Sequence, residues 1–257
     1  MCVICVKGKD VELPKKETLR NCFEANKQGV GFVYFDGEFN NLKKGYFDFE
    51  KFYEDFFRMV KKEHPCIIHF RTATSGKVDA GNCHPFPLSN QKEELRKTEM
   101  QKKEIFVAHN GVFTTDLDKK LSDTMVFIRD ILSKPIIKRN LFGNQVINKL
   151  LSFAVGWGKL AFINGNGNLL LIGEFQKFNE CYFSNTDYES PKKYYDYSYY
   201  NGWYGLEKKE KSLFEKWDRK CDFCGEEKPL VYRNGAEICR ECERQIIEQD
   251  YDFFRRG

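Results

Sequence analysis

The sequence predicts an α+β fold over residues 1–188, followed by a small module built around four cysteines. Helical and hairpin patterns are interleaved along the first part of the chain, and paired cysteines cluster in the last part. The chain has neither a Gly-rich dinucleotide fingerprint nor a Gly-x4-Gly-Lys-Ser/Thr phosphate loop. Nucleotide-binding α/β folds therefore have no support, and a layered α+β domain is expected.

The predicted elements follow from local periodicity and turn signals. Asp36-Gly37 and the segment Asn164-Gly165-Asn166-Gly167 are hairpin turns. Phenylalanines recur at helical spacing between residues 48 and 62, and Ser122 is a candidate N-cap. The predicted strands are residues 2–6, 30–35, 39–46, 66–70, 105–108, 160–163 and 169–172. The predicted helices are residues 17–26, 48–62, 123–132 and 141–153.

Two polar stretches are predicted to lie outside the regular elements. The run of alternating charges at 91–104 is expected to be a solvated connection or a hairpin tip. The Tyr-rich stretch 189–204 is expected to be a linker or a loosely ordered arm. The chain is therefore divided into a domain at 1–188, a linker at 189–212 and a cysteine module at 213–257.

Composition restricts the class of protein. The 257 residues are 41% hydrophobic and 31% charged, which excludes collagen-like and fully disordered chains. No apolar run approaches the roughly 20 residues of a membrane span, and the N-terminus is too short for a signal sequence. We therefore expect a soluble, cytoplasmic protein without a membrane partner. Its ten cysteines are then expected to be ligands, nucleophiles or buried thiols rather than disulfides.

Four cysteines near the end of the chain have metal-ligand spacing. Two Cys-x2-Cys pairs are separated by fourteen residues, which suits tetrahedral Zn²⁺. An iron–sulfur site or redox pairs are the alternatives. A hairpin at 229–232 and 237–238 and a helix at 244–254 complete an order that resembles a treble-clef or zinc-ribbon module. Because protein would fill all four positions, a structural rather than a catalytic metal is expected. The ligands are Cys221, Cys224, Cys239 and Cys242.

The charge of this module argues against nucleic acid as its partner. Residues 206–257 contain 12 Lys and Arg against 13 Asp and Glu. A net charge of −1 falls short of a phosphate-tracking surface. We therefore expect the module to contact a protein partner or the first domain.

Cys2 is a candidate nucleophile. Removal of Met1 would leave Cys2 with a thiol and a free α-amine on one residue. The amine, with a pKa of about 7.7–8.0, could accept the proton of a thiol whose pKa is about 8.5. The five scattered cysteines are expected to be small buried side chains: Cys5, Cys22, Cys66, Cys83 and Cys181.

Four short motifs follow Cys2 in a fixed order. Together with Cys2 they resemble the class-II glutamine amidotransferases, in particular small stand-alone members. That family consists of N-terminal-nucleophile hydrolases with a four-layer αββα fold, so the resemblance implies this fold for residues 1–188. The motifs are His69-Phe-Arg71-Thr-Ala-Thr74-Ser-Gly76, Asn82-Cys-His84-Pro85-Phe86, Ala108-His109-Asn110-Gly111 and Ser122-Asp123-Thr124.

The resemblance also implies roles and a substrate. Cys2 would attack the side-chain amide of glutamine, and Asn110 and Gly111 would form the oxyanion hole. The ammonia released would pass to an acceptor on a protein partner, and no organic cofactor is implied. The resemblance further implies three substrate-binding residues. They are Arg71 for the α-carboxylate, Asp123 for the α-ammonium and Thr74 for an additional hydrogen bond.

Other interpretations of the same residues stay open. Arg71 could form an ordinary strand-end ion pair, and Asp123 could belong to a plain helix N-terminus. The sequence also departs from the family pattern at Val3, Ser75 and Met125, where the family has Gly, His and Glu. It lacks the arginine of a His-Arg-Gly turn near residues 25–29. The chain could thus be an amidohydrolase for another amide, or a non-catalytic scaffold if Met1 is retained.

Overall fold

The computed structural model of the protein describes residues 2–72, 77–113 and 121–189. In the C-terminal part it describes residues 221, 224, 226, 230–233, 236–239 and 241–242. The chain divides into two compact units, Met1–Tyr194 and Tyr195–Gly257. Linker residues 190–212 and the predicted helix 244–254 lie outside the described residues. Within the described part of the chain, no helix combines the length and apolarity needed to cross a membrane.

The first unit contains eleven strands and six α-helices in its described residues. The strands are β1 (Val3–Lys7), β2 (Val30–Phe35), β3 (Asn40–Tyr46), β4 (Cys66–Phe70), β5 (Phe86–Pro87), β6 (Glu99–Lys102), β7 (Phe106–Asn110), β8 (Lys159–Ile163), β9 (Leu169–Ile172), β10 (Gln176–Phe178) and β11 (Cys181–Phe183). The helices are α1 (Lys16–Ala25), α2 (Phe49–Met59), α3 (Lys92–Arg96), α4 (Asp123–Phe127), α5 (Pro135–Asn140) and α6 (Gln145–Val155). A short 3₁₀ turn (Ala80–Asn82) precedes β5, and a π-helical turn (Ile128–Leu132) follows α4.

These strands form two antiparallel sheets. The seven-stranded sheet has the order β10-β11-β1-β4-β2-β3-β6, and the four-stranded sheet has the order β5-β7-β8-β9. β1 lies near the middle of the larger sheet, paired with β4 on one side and β11 on the other. β7 and β8 form the centre of the smaller sheet.

Successive side chains of the central strands point to opposite faces of each sheet, so that each sheet packs against helices on one face and against the other sheet on the other face. Val3 and Cys5 of β1 face the cluster that α1 and α2 cover, whereas Ile4 and Val6 face the second sheet. The same period-2 alternation divides β8 between a cluster shared by the two sheets and a cluster covered by α4 and α6. The unit is therefore ordered helices, sheet, sheet, helices, with antiparallel sheets and mixed α/β content as predicted.

The strongly patterned elements agree with the prediction. The Phe stripe forms α2, whose N-cap Asp48 accepts a hydrogen bond from the Lys51 N–H. Phe52 and Phe56 of this helix are fully buried against the larger sheet. The hairpins β2–β3 and β8–β9 form at their predicted turns.

Some segments differ from the prediction. The charged run 91–104, predicted as a solvated connection or hairpin tip, contains α3 and β6 instead, because Leu95 is buried and β6 pairs with β3. Residues 128–132 wind as a π-helical turn rather than continuing α4. Helix α5 and the hairpin β10–β11 were not predicted. Both are short, and tertiary contacts rather than local propensity define them.

The second unit contains one described hairpin. β12 (Leu230–Arg233) and β13 (Ala236–Cys239) pair antiparallel. β12 lies one residue later than predicted, and β13 extends one residue further at each end. The strand β13 ends on Cys239, so the hairpin brings the third cysteine of the cluster back toward the first pair.

Candidate active site

Cys2 precedes β1 and lies beside the residues that follow β4. The register pairs Val3 with Phe70, which brings Cys2 next to Arg71 and Thr72. The Thr72 N–H donates to Cys2 Sγ at 3.3 Å, and the thiol donates to the Thr72 carbonyl at 3.1 Å. The side chain is thus held between the backbone N–H and the backbone carbonyl of the same residue, Thr72.

Burial raises the pKa of the Cys2 thiol, because the protein interior disfavours the thiolate. The Thr72 hydrogen bond, the amino terminus and the positive charge of Arg71 oppose this rise. The thiol therefore stays protonated near neutral pH. A nucleophilic role would require a base to remove its proton.

Arg71 is buried and directly follows the last residue of β4. Its backbone N–H donates to the Gly29 carbonyl at 2.8 Å, and its Nη1 donates to the Lys77 carbonyl at 3.0 Å. The Nη1 bond anchors the guanidinium, whose positive charge opposes the rise in the pKa of Cys2. Thr74, predicted to add a hydrogen bond to substrate, lies outside the described residues.

Asn110 ends β7 in the smaller sheet, yet its side chain reaches the larger sheet. Its Nδ2 donates to Ser184 Oγ at 2.9 Å, and the same Oγ accepts from the Ile4 N–H at 2.8 Å. One hydroxyl therefore joins Asn110 to β1, two residues from Cys2. Ser184 was not among the predicted site residues.

Gly111 follows Asn110 in a crowded position. A Cβ there would lie 2.7 Å from His109 Nε2 and 3.0 Å from the Gly158 Cα, and its φ is +157°. Glycine avoids both contacts and tolerates this backbone angle. The backbone after β7 can thus pass close to the His109 ring.

Asp123 opens α4 directly after the N-cap Ser122, whose hydroxyl accepts from the Met125 N–H. Its Oδ2 accepts from the Phe113 N–H at 2.8 Å, so the carboxylate is tied to the segment after Asn110-Gly111. His109 Nδ1 lies 3.0 Å from Thr124 Oγ1, which joins β7 to the same helix. Asp123 and Asn110 therefore belong to one locally connected region.

Three histidines of the motifs are buried between the sheets and their loops. Burial lowers the pKa of His69 to about 3 and that of His109 to about 4, and places that of His84 well below its usual range. The rings of His69 and His84 lie 4.2 Å apart, and His69 Nε2 lies 3.1 Å from the His109 carbonyl. Neutral histidines in such contacts serve as scaffold.

Sequence reasoning missed a set of polar residues around Cys2. The Thr72 hydroxyl donates to Asn26 Oδ1 at 2.7 Å, and Asn26 Nδ2 donates to Asp187 Oδ2 at 2.8 Å. Asn185 Nδ2 donates to the same Oδ2 at 3.3 Å and to the Cys2 carbonyl at 2.9 Å. We call this set the Cys2 circuit: Cys2, Thr72, Asn26, Asp187 and Asn185. Its only sequence signal was the polar run Ser184-Asn185-Thr186-Asp187 after a strand.

The four C-terminal cysteines converge in the second unit. Their sulfurs all lie within 4.8 Å of one another, and those of Cys224 and Cys239 are 3.9 Å apart. The Cys239 N–H donates to Cys221 Sγ at 3.2 Å. A tetrahedron of sulfurs about 2.3 Å from zinc has edges of about 3.8 Å, so this donor set could hold a metal ion.

The five other cysteines are all free and buried, in agreement with the prediction. Burial raises the pKa of Cys66 to about 12 and that of Cys83 to about 11. Such thiols stay protonated and behave as small apolar side chains. Cys2 differs from them because it is partly exposed.

The structure is similar to glutamine phosphoribosylpyrophosphate (PRPP) amidotransferase from B. subtilis, solved in complex with ADP and GMP, at a TM-score of 0.45 and 19% sequence identity. The similarity covers 71% of this chain and 41% of that chain, so this chain spans less than half of the other's length. No protein-family model and no curated protein matches the sequence. At this level a likeness does not decide an activity. The chemistry has to be inferred from the chain's own residues.

Proposed function

We propose that the chain is a class-II glutamine amidotransferase subunit, with the four-layer fold of the N-terminal-nucleophile hydrolases. It would hydrolyse the side-chain amide of glutamine and supply the ammonia to an acceptor on a partner. The observation that carries this proposal is the arrangement around Cys2. The Cys2 thiol is held by Thr72, and Arg71 precedes Thr72 in sequence. Asn110 is joined through Ser184 to β1, the strand that follows Cys2.

The first chemical step needs a base, because burial raises the pKa of the Cys2 thiol. Removal of Met1 would supply one in the α-amine of Cys2. The amine takes the thiol proton, and the thiolate attacks the amide carbon of glutamine. The resulting oxyanion accepts hydrogen bonds from Asn110 Nδ2 and the Gly111 N–H. An amide nitrogen has two hydrogens, so Asn110 can donate to Ser184 and to the oxyanion together.

The second half of the reaction completes the hydrolysis. The protonated amine returns its proton to the leaving nitrogen, and the carbon–nitrogen bond breaks to give ammonia and a glutamyl-thioester on Cys2. Water then adds to the thioester carbon with the amine again as base. The carbon–sulfur bond breaks, which releases glutamate and restores the thiol.

Free glutamine carries one charge of each sign at its Cα, and two buried charged residues match them. Arg71 would bind the α-carboxylate through its planar guanidinium. Asp123 would bind the α-ammonium, and Thr74 would add a hydrogen bond. This pair of opposite charges favours an amino-acid substrate over a neutral amide.

The second unit would hold a structural zinc ion. Four thiolates from Cys221, Cys224, Cys239 and Cys242 would fill its tetrahedral positions and cross-link the hairpin to the first cysteine pair. No position would remain for substrate. This unit is a candidate for docking the protein that carries the ammonia acceptor, in an intracellular setting where thiols stay reduced.

Glutamate release from glutamine tests the proposal. The parent protein should release glutamate and ammonia, and intact mass should show that Met1 is absent. Cys2→Ala should abolish release. Cys5→Ala, which changes a buried thiol on β1 three residues after Cys2, should retain it. Retained Met1, or equal release by Cys2→Ala and the parent protein, would exclude the mechanism.

A further inference from the structure

A nucleophile at the start of a chain is difficult to position. The ladder between β1 and β4 begins at Val3, and the pairing of β1 with β11 begins at Cys5, so Cys2 lies beyond both. Terminal residues are mobile unless other contacts hold them. After removal of Met1, a single peptide bond would connect Cys2 to the strand. Its position must then depend on lateral hydrogen bonds.

The Cys2 circuit supplies these bonds on two sides. Thr72 contacts the thiol through its backbone, and Asn185 donates to the Cys2 carbonyl. The two arms meet at Asp187, whose Oδ2 accepts from both Asn185 and Asn26. Because the Thr72 hydroxyl donates to Asn26, the hydrogen bonds close into a ring.

The circuit is attached to rigid parts of the first unit. Asn26 is fully buried at the C-terminus of α1, where its N–H donates to the Phe23 carbonyl and its Nδ2 also donates to the Cys22 carbonyl. Asp187 also donates its own N–H to Asn185 Oδ1 at 3.1 Å, which fixes the turn after β11. A carboxylate that accepts two amide donors forms the stronger, charge-assisted kind of hydrogen bond.

We propose that Asn26, Asn185 and Asp187, together with the Thr72 hydroxyl, are positioning residues for Cys2. They hold its carbonyl and thiol so that the sulfur meets the substrate amide in a reactive geometry. This inference rests on the proposed glutamine hydrolysis for its kinetic consequence. Its physical content, the placement of the Cys2 thiol, can be measured without glutamine.

The size of the effect follows from the geometric demand of bond formation. A displacement of about 1 Å in a reacting group can cost on the order of 100-fold in rate. Loss of one arm of the circuit is therefore expected to lower kcat by roughly 10- to 100-fold. KM for glutamine should change little, since Arg71 and Asp123 are not members of the circuit.

Two variants remove one arm each, and two others control for them. Asn185→Ala removes the bond to the Cys2 carbonyl, and Thr72→Val removes the hydroxyl that reaches Asn26. Thr72→Ser keeps that hydroxyl. Asn21→Ala removes a 3.1 Å hydrogen bond from Asn21 Nδ2 to the Tyr188 carbonyl. This bond holds the segment after β11, which contains Asn185 and Asp187, but it involves no member of the circuit.

Each variant is measured for glutamate release and for alkylation of Cys2 by iodoacetamide, followed by peptide mass spectrometry. In the alkylation, the thiolate displaces iodide from carbon and the thiol proton goes to the buffer. Cys5, fully buried on β1, reports opening of the fold if it becomes labelled. A partly buried thiol that loses its restraints should react faster with a small reagent while it turns over glutamine more slowly.

The expected result is slower turnover and faster Cys2 alkylation in Asn185→Ala and Thr72→Val, with Cys5 unlabelled. Thr72→Ser and Asn21→Ala should behave as the parent protein. Parent-like turnover and alkylation in both arm variants would overturn the inference. If the parent protein does not hydrolyse glutamine, the proposed function fails, and the alkylation rates still decide the positioning role. If Asn185→Ala exposes Cys5, the comparison of Thr72→Val with Thr72→Ser decides the positioning role.

Discussion

The two units of the chain use cysteine in opposite ways. In the first unit, apolar surroundings raise the pKa of buried thiols such as Cys66 and Cys83, which stay protonated and fill space. In the second unit, four sulfurs approach within 4.8 Å of one another, as metal-bound thiolates do. Cys2 is a third case, a partly exposed thiol fixed by polar neighbours. The environment, rather than the residue type, therefore decides what a cysteine can do.

The two units should differ most in their response to metal removal. Chelation, or Cys242→Ser, should remove about one zinc ion per chain and abolish the fold of the second unit, because zinc binding contributes about 10–16 kcal/mol in zinc-finger peptides. The unfolding transition of the first unit should be unchanged. Metal analysis and calorimetry measure the two effects.

The matched control is Cys66→Ala, which removes a fully buried thiol from β4 of the first unit. It should lower the stability of that unit and leave the zinc content unchanged. Zinc loss in this variant, or full zinc content in Cys242→Ser, would contradict the division of roles between the two sets of cysteines.

The next largest effect is expected at Gly111. In Gly111→Ala, the new methyl group would collide with His109 Nε2 and displace the N–H assigned to the oxyanion hole. Loss of one such donor costs about 100- to 1000-fold in kcat. Steady-state glutamate release measures it, with unfolding followed separately.

Gly143→Ala provides the control for Gly111→Ala. A Cβ at Gly143 would meet nothing within 4 Å, so this variant should retain parent activity. Equal turnover in the two alanine variants would exclude a catalytic use of the backbone at Gly111.

Acidification should produce the smallest of the three effects, a loss of stability of the first unit. The pKa of His69 is about 3 and that of His109 about 4, against 6.5 for an exposed histidine. Between these values the unfolded chain binds more protons than the folded one. The contribution of these two neutral histidines to the free energy of unfolding is therefore complete above pH 6.5 and is lost as the pH falls from 6.5 toward 3. Urea unfolding across this range should show a falling midpoint.

His69→Gln tests the source of that pH dependence. The variant should be less stable at pH 7 but should lose less stability on acidification. The reason is that its unfolded chain has one fewer group that binds a proton which the folded protein does not bind. An unchanged slope with pH would assign the acid sensitivity to other groups.

The sequence was informative wherever a residue pattern is local. The Phe stripe predicted α2, and the Gly-containing turns predicted two hairpins with nearly correct bounds. It was wrong at 91–104, where a strongly charged run hides Leu95, the one residue of α3 that the core buries. Pairing with β3 then converts the rest of that run into a strand, which no local pattern specifies.

The candidate site was predicted unevenly for the same reason. Arg71, Asn110 and Asp123 lie in short motifs at the ends of elements, so their neighbours in sequence indicate them. Asn26 and Asp187 lie 161 positions apart and meet only through the fold. Asn26 has no unusual sequence context, and the polar run that contains Asp187 does not by itself indicate Cys2. Their relation to Cys2 appears only once the strand order is known.

The position of β1 has a consequence for how the protein is made. This strand is synthesised before the other elements of the first unit, but β11, one of its two partners, is complete only at Phe183. The last members of the Cys2 circuit, Asn185 and Asp187, follow immediately. A ribosome must therefore finish nearly the whole first unit before Cys2 can be fixed, and contacts this distant in sequence form slowly. An incomplete nascent chain carries the thiol but not the surroundings that would make it a nucleophile.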